Sequence, residues 1–347
     1  MTDTEPTNTD WRVYHGTGRT ATSPTTALPP PPPWRRFTGT GTVTRPGDDP
    51  DEAQRRIGAL LDRQRQPYQD EVAMVNAAIY LRRPLLVTGR PGTGKSSLAH
   101  LIARELGLGP VLRWPVTSRT MLKDGLYFYD AIGRAQASVG VGRGDTDPVD
   151  IGNYVHLGPL GTALLPYDLP RVLLVDELDK SDIDLPNDLL DVFEEGEYRI
   201  PELARLAKRQ PEVTVLTHDP DGTAVVRHGR VQCREFPIVV VTSNGEREFP
   251  PAFLRRCLQL RVDQPNFEQL GAMVAAHFGA TDSIDVARLI SDFLQRSGEV
   301  GGLASDQLLN AVHLATQLAT SGAYQPDDEW EELLRAIWHP LSTAEFE

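Results

Sequence analysis

The stretch Gly89-Arg90-Pro91-Gly92-Thr93-Gly94-Lys95-Ser96 constrains this chain more than any other, because it meets the pattern G-x-x-x-x-G-K-[ST] at every fixed position. It follows Leu85-Leu86-Val87-Thr88, a short unbroken apolar run of the kind buried in parallel sheets, and precedes a helical pattern from Ser97 to Leu106. Glycines at these positions let the backbone curl until several N–H groups converge on one anion. The partial positive charge of the helix start at Ser97 adds to that attraction. Only four lysines occur in the chain, against 31 arginines, so a lysine at position 95 stands out. Its compact ammonium suits the oxygens of a terminal phosphate, and the Ser96 hydroxyl suits a magnesium ion. Strand, phosphate loop and helix in that order predict an α/β fold built to hold a nucleotide.

Further apolar runs at 111–116, 172–175, 238–242 and 258–262 alternate with helical patterns. This predicts a three-layer parallel α/β sheet, followed by a small all-α domain from the stripe of Leu289, Ile290, Phe293, Leu294, Leu308, Leu309, Val312 and Leu318. Three segments are therefore expected: a tail over 1–50, a nucleotide-binding domain over 51–264, and a helical lid over 265–347. The tail holds five consecutive prolines, Pro29 to Pro33, and no apolar periodicity, so it is expected to be extended or disordered. Ile57, Leu60 and Leu61, then Val72, Val75 and Ile79, predict two helices ahead of the first strand.

Val172-Leu173-Leu174-Val175-Asp176-Glu177 ends an apolar strand in two adjacent acids. Behind a phosphate loop, this pattern assigns Asp176, with Ser96, to the magnesium shell. Glu177 is assigned to orienting and polarising the attacking water. Asn244, ending the run Ile238 to Ser243, is expected beside Glu177.

In this order the motifs resemble the AAA+ ATPases over about residues 51–320, and among them the MoxR-like branch. Residues 89–96 correspond to Walker A, 172–177 to Walker B and Asn244 to sensor 1. Phe253-Leu254-Arg255-Arg256-Cys257 is similar to the arginine-finger region, which points to Arg256, with Arg255 second, as a residue reaching a neighbouring subunit's nucleotide. Leu126 to Asp130 and Tyr154 to Leu160 resemble the helix-2 insertion, and Pro201 to Cys233 the hairpin before sensor 1. These give insertions at about 120–160 and 201–233, where Tyr127, Phe128 and Tyr129 either touch a client or pack the core. The resemblance implies ATP and Mg2+ as cofactors, with Gly89 to Ser97 and Asp176 binding them. It also implies a homo-oligomeric ring of six, a protein client, and a von Willebrand factor A-domain partner, including a role in bacterial conflict. Two departures stand out. Asp179-Lys180 replaces the Asn-Arg common in that branch, and Gln307 falls where a lid arginine is expected, which favours a slow-hydrolysing switch as the second reading.

Composition narrows the partners. The net charge of −13 lacks the basic footprint of nucleic-acid binding, and ten of those charges fall beyond residue 260, where fourteen acids face four arginines. Two cysteines, Cys233 and Cys257, suit neither a disulfide scaffold nor a zinc site. With no membrane-length apolar run and a polar N-terminus, the expected location is the cytoplasm.

Overall fold

The computed structural model describes residues 10–20, 28–59, 65–140, 150–279, 284–321 and 328–340. Leu60 and Leu61, part of the expected N-terminal stripe, lie outside these. Among the described residues, eleven strands form two sheets: β1 (Leu85–Thr88), β2 (Leu112–Pro115), β3 (Tyr127–Tyr129), β4 (Val155–Leu157), β5 (Val172–Asp176), β6 (Glu197–Arg199), β7 (Glu212–Leu216), β8 (Thr223–Arg227), β9 (Arg230–Gln232), β10 (Ile238–Ser243) and β11 (Leu258–Arg261).

The five predicted strands assemble into one all-parallel sheet in the order β11-β1-β10-β5-β2. Strands β5 and β10 are buried at every position, so both faces need cover and the sequence reads as unbroken Val, Leu and Ile. One face packs α2 (Glu71–Leu81) and α3 (Ser97–Leu106) over Leu85, Val87, Leu174 and Val240. The other face packs Leu86, Leu173, Val175 and Val241 against the second sheet and its helices. The first helix, α1 (Pro50–Ile57), starts at Asp49, whose carboxylate accepts from the Glu52 N–H.

The two insertions do not form separate hairpins. They merge into one six-stranded sheet, ordered β3-β4-β7-β8-β9-β6. Within it, β7 and β8 pair antiparallel, as expected from the turn Asp219-Pro220-Asp221-Gly222, with Val213 opposite Val226. Both strands alternate exposed and buried, which keeps Val213, Val215, Ala224 and Val226 on the core side. Arg171, fully buried, locks the turn to the core with a bidentate bond to Asp219 at 2.8 Å and a bond to the Pro110 carbonyl.

The remaining long helices are α4 (Ala131–Gly140), α5 (Leu185–Glu195), α6 (Phe267–Phe278), α7 (Val286–Glu299), α8 (Ser305–Thr320) and α9 (Asp328–Ile337). The last four form a helical lid with its own core, in which Leu270, Leu289, Phe293, Leu308, Val312 and Trp338 meet. An Asn266–Gln269 capping box starts α6 two residues after Gln264, the expected boundary.

The expectation for residues 1–50 needs correction where the structure describes them. Residues 10–20 lie along α2 and α3: Tyr14 is fully buried and donates to Glu71 at 2.6 Å, while the Asn76 side chain accepts from the Val13 and Tyr14 N–H groups. The buried Glu105 carboxylate accepts N–H bonds from His15, Thr17 and Gly18. Further on, the Arg35 guanidinium is buried over the Phe236 ring and bonds the Phe193 and Arg82 carbonyls. Anchors of this kind carry no periodicity, and their partners lie 47 or more residues away in sequence.

Candidate functional site

The phosphate loop leaves β1 at Gly89 and turns through Gly92 (φ +72°) and Gly94 (φ +84°), left-handed conformations that glycine adopts at least cost. Lys95 is buried, and its ammonium donates to the Gly89 and Arg90 carbonyls at 2.8 and 2.7 Å. Burial pulls the Lys95 pKa below its ordinary value, against the attraction of Asp179, Glu177 and Asp176.

Register delivers the acids. Because β5 and β10 pair with Val175 beside Val241, Asp176 and Thr242 end adjacent strands. Thr242 donates to Asp176 Oδ1 at 2.9 Å, and Ser96 donates to the same oxygen at 2.6 Å. Arg113 on β2 holds Oδ2 at 2.7 Å through Nη2. Burial pushes this carboxyl up, but the bonds from Ser96, Arg113 and Thr242 outweigh it and leave the pKa below the ordinary value. The side-chain oxygens of Ser96 and Asp176 are the hard donors magnesium takes, and among the described residues no larger acid or histidine cluster competes for it.

Glu177 takes a left-handed conformation, φ 63° and ψ 49°, held by its N–H bond to Thr242 Oγ1. Such a backbone costs a non-glycine residue about 1 kcal/mol or more. That turn sets Glu177 on the wall of a cavity, and Lys180 pairs with its half-exposed carboxylate at 2.8 Å.

A cavity of about 430 Å³ gathers these groups: Lys95, Ser96, Asp176, Glu177 and Asn244 share its walls with Arg55, Arg56, Arg113 and lid residues Ser305 and Asp306. Beside it, a more apolar cavity of about 160 Å³ is lined by Ile57, Tyr68, Leu101, Met273 and Ala276, together with Thr17 and Gly18 of the N-terminal segment. Arg56, Gly94, Ser97, Met273, His277 and Ser305 border both. Tyr68 donates to the Thr93 carbonyl at 2.7 Å and carries the Arg65 guanidinium over its ring. The lid docks directly on the loop, since the Ser305 N–H donates to the Gly92 carbonyl at 3.0 Å and Arg90 donates to the Gly301 carbonyl.

The structure thus brings Gly89 to Ser97, Asp176, Glu177 and Asn244 together. Asn244 does not bond Glu177, however: its amide donates to Glu246, and its N–H goes to Asp179. Arg255 and Arg256 stand outside both cavities, where Arg256 pairs with Glu194 on α5 at 2.8 Å. Gln307 turns away from the phosphate loop, capping the Ala304 N–H and donating to the His339 carbonyl. Of the three aromatic insertion residues, Tyr127 is buried on Glu202 and Tyr129 accepts from Arg134, while Phe128 is exposed.

Sequence reading missed Thr242, Arg113, Asp179 and Tyr68. Thr242 was within reach, since aligning the two apolar runs puts it beside Asp176. Asp179 is buried and clamps the Asn244 and Glu246 N–H groups, which gives the Asp-Lys departure a structural role. Arg113 and Tyr68 carry no local pattern.

A five-stranded parallel sheet, a phosphate loop, paired acids at the next strand ends and a helical lid define a P-loop nucleoside triphosphatase. Residues 84–257, half of the chain, match the AAA domain of the dynein-related subfamily, and the chain belongs to that family of AAA+ ATPases. No curated protein matches it. Among the described residues, no helix is long and apolar enough to cross a membrane.

Proposed function

We propose that this chain binds ATP with Mg2+ between its core and lid, hydrolyses it, and uses the lid's contact with the phosphate loop to move the insertion sheet against a protein client. The observation that carries this reading is the pair of adjoining cavities, the apolar one sized and lined for a nucleobase and the polar one holding the phosphate-loop and acid residues. Lys95 supplies charge to the β- and γ-phosphate oxygens, the loop N–H groups hold the β-phosphate, and Glu177 orients water for in-line attack. Ser96 and Asp176 would hold magnesium, which supplies charge neutralisation on the phosphates.

The exposed Phe128 at the edge strand of the insertion sheet supports contact with a protein. The half-exposed Arg256, outside its own chain's cavities, supports a ring of six in which it serves the neighbour's nucleotide. A von Willebrand factor A-domain partner and cytoplasmic work of the MoxR-like kind, including conflict systems, rest on resemblance. A second reading, a slow nucleotide-gated switch, draws on Gln307 facing away and on Lys180 holding Glu177.

Lys95→Ala is expected to abolish ATP binding. Glu177→Gln is expected to keep binding while turnover falls about a hundredfold or more. Retained ATP binding in Lys95→Ala refutes the site, and wild-type turnover that is slow and blind to any partner selects the switch.

A further inference from the structure

Neither the phosphate-loop motif nor the strand-end acids involve α1, yet its last turn reaches the nucleotide cavities. We infer that Arg56 on α1 is a phosphate-contacting cation of the nucleotide site, supplying from ahead of the core the charge that the lid helix does not. This rests on the nucleotide-binding reading above and adds a binding residue to it.

Position comes first. The Ala59 N–H donates to the Ala276 carbonyl of α6 at 2.7 Å, and Arg104 of α3 donates to the Gly58 carbonyl at 2.8 Å. Gly58 is packed so closely that a Cβ there would stand 2.6 Å from the Ala276 backbone. The end of α1 is therefore pinned to core and lid at once. From this turn Arg56 borders both cavities, and Gly94 and Ser97 share that border with it. A nucleotide with its base in the apolar cavity and its phosphates over Lys95 must cross this point.

Charge comes second. Among the described residues, four permanent cations line the polar cavity. Lys95 is taken up by two loop carbonyls, and Arg113 by Asp176. The Arg55 and Arg56 guanidinium groups have no hydrogen-bond or ion-pair partner among the described residues, and the Arg56 Nε is fully buried. At this border between the two cavities, a phosphate oxygen is the acceptor a guanidinium takes best. The lid offers this cavity Asp306, Ser305 and His277 but no arginine, with Gln307 spent on its own helix cap. His100 shares the wall of the polar cavity with Arg56, and burial, followed by repulsion from Arg56 and Arg113, lowers its pKa.

The test titrates the full-length chain with fluorescent ATP and ADP analogues in Mg2+, at two salt concentrations, for wild type, Arg56→Ala, Arg56→Lys and Lys95→Ala. A charge-assisted bond predicts about tenfold to hundredfold weaker binding of both nucleotides by Arg56→Ala. It also predicts a shallower salt dependence, with Arg56→Lys recovering most of the loss and thermal melts staying near wild type. Wild-type affinity and salt dependence in Arg56→Ala, with Lys95→Ala abolishing binding, overturns the role of Arg56 alone. Loss in Arg56→Ala that Arg56→Lys does not recover, with a lowered melting temperature, overturns it in favour of a packing role. Binding that survives in Lys95→Ala, or is absent from wild type, overturns the nucleotide reading and this inference with it.

Discussion

His100 offers a direct check on the electrostatics around the site. It sits on α3, buried, with Arg56, Arg113 and Arg104 near enough to repel a proton and Asp176 near enough to attract one. Burial first, then Arg56 and Arg113, pull its pKa from 6.5 to about 4. The unfolded chain therefore takes up a proton near pH 6.5, whereas the folded chain resists until about pH 4. Stability from this residue is complete above the unfolded value, falls as the pH drops through that window, and levels off below it. The full shift corresponds to about 3 kcal/mol, of which about 2 kcal/mol is lost by about pH 5. Urea unfolding of wild type and His100→Leu at about pH 7.5 and about pH 5 isolates it, because the carboxylates titrate in both proteins. Wild type should lose about 2 kcal/mol more than the variant on acidification. Equal losses would refute the placement of His100 among these cations.

Two more outcomes are expected. Asp219→Ala leaves the fully buried Arg171 guanidinium without its carboxylate and should cost about 3–5 kcal/mol, read as a lowered urea midpoint. Gly92→Ala would place a Cβ 2.3 Å from that of Ala304, at a φ of +72° that disfavours alanine, so the lid must lift from the loop. Faster proteolysis at the 300–304 turn and weaker ATP-analogue binding are expected, and protection equal to wild type would contradict the lid contact.

What was legible in the chain follows from how each element earns its place. The five central strands are covered on both faces, so each had to be an apolar run, and every one was found within a residue or two of its ends. The phosphate loop was legible because left-handed turns at Gly92 and Gly94 admit few other residues. By contrast, Tyr14, Arg35 and Asn76 hold the N-terminal segment through scattered long-range bonds, which leave no period to detect. Asn244 ends the expected strand, but Asp179 clamps its backbone N–H and Glu246 takes its side-chain amide, contacts that no local pattern reveals. Gln307 illustrates the same limit, since sequence gives its place on the helix and the capping bond decides which way it faces.

The bonds from Glu105 and Asn76 to residues 13–18 redraw where the folding unit begins. A shortened protein starting at residue 51, the natural choice for isolating the ATPase core, would keep every catalytic motif yet strip the acceptors Glu105 and Asn76 of their donors. It would also open one wall of the apolar cavity, where Thr17 and Gly18 stand. For expression, crystallisation or fusion to another domain, the segment that carries residues 13–18 has to be kept.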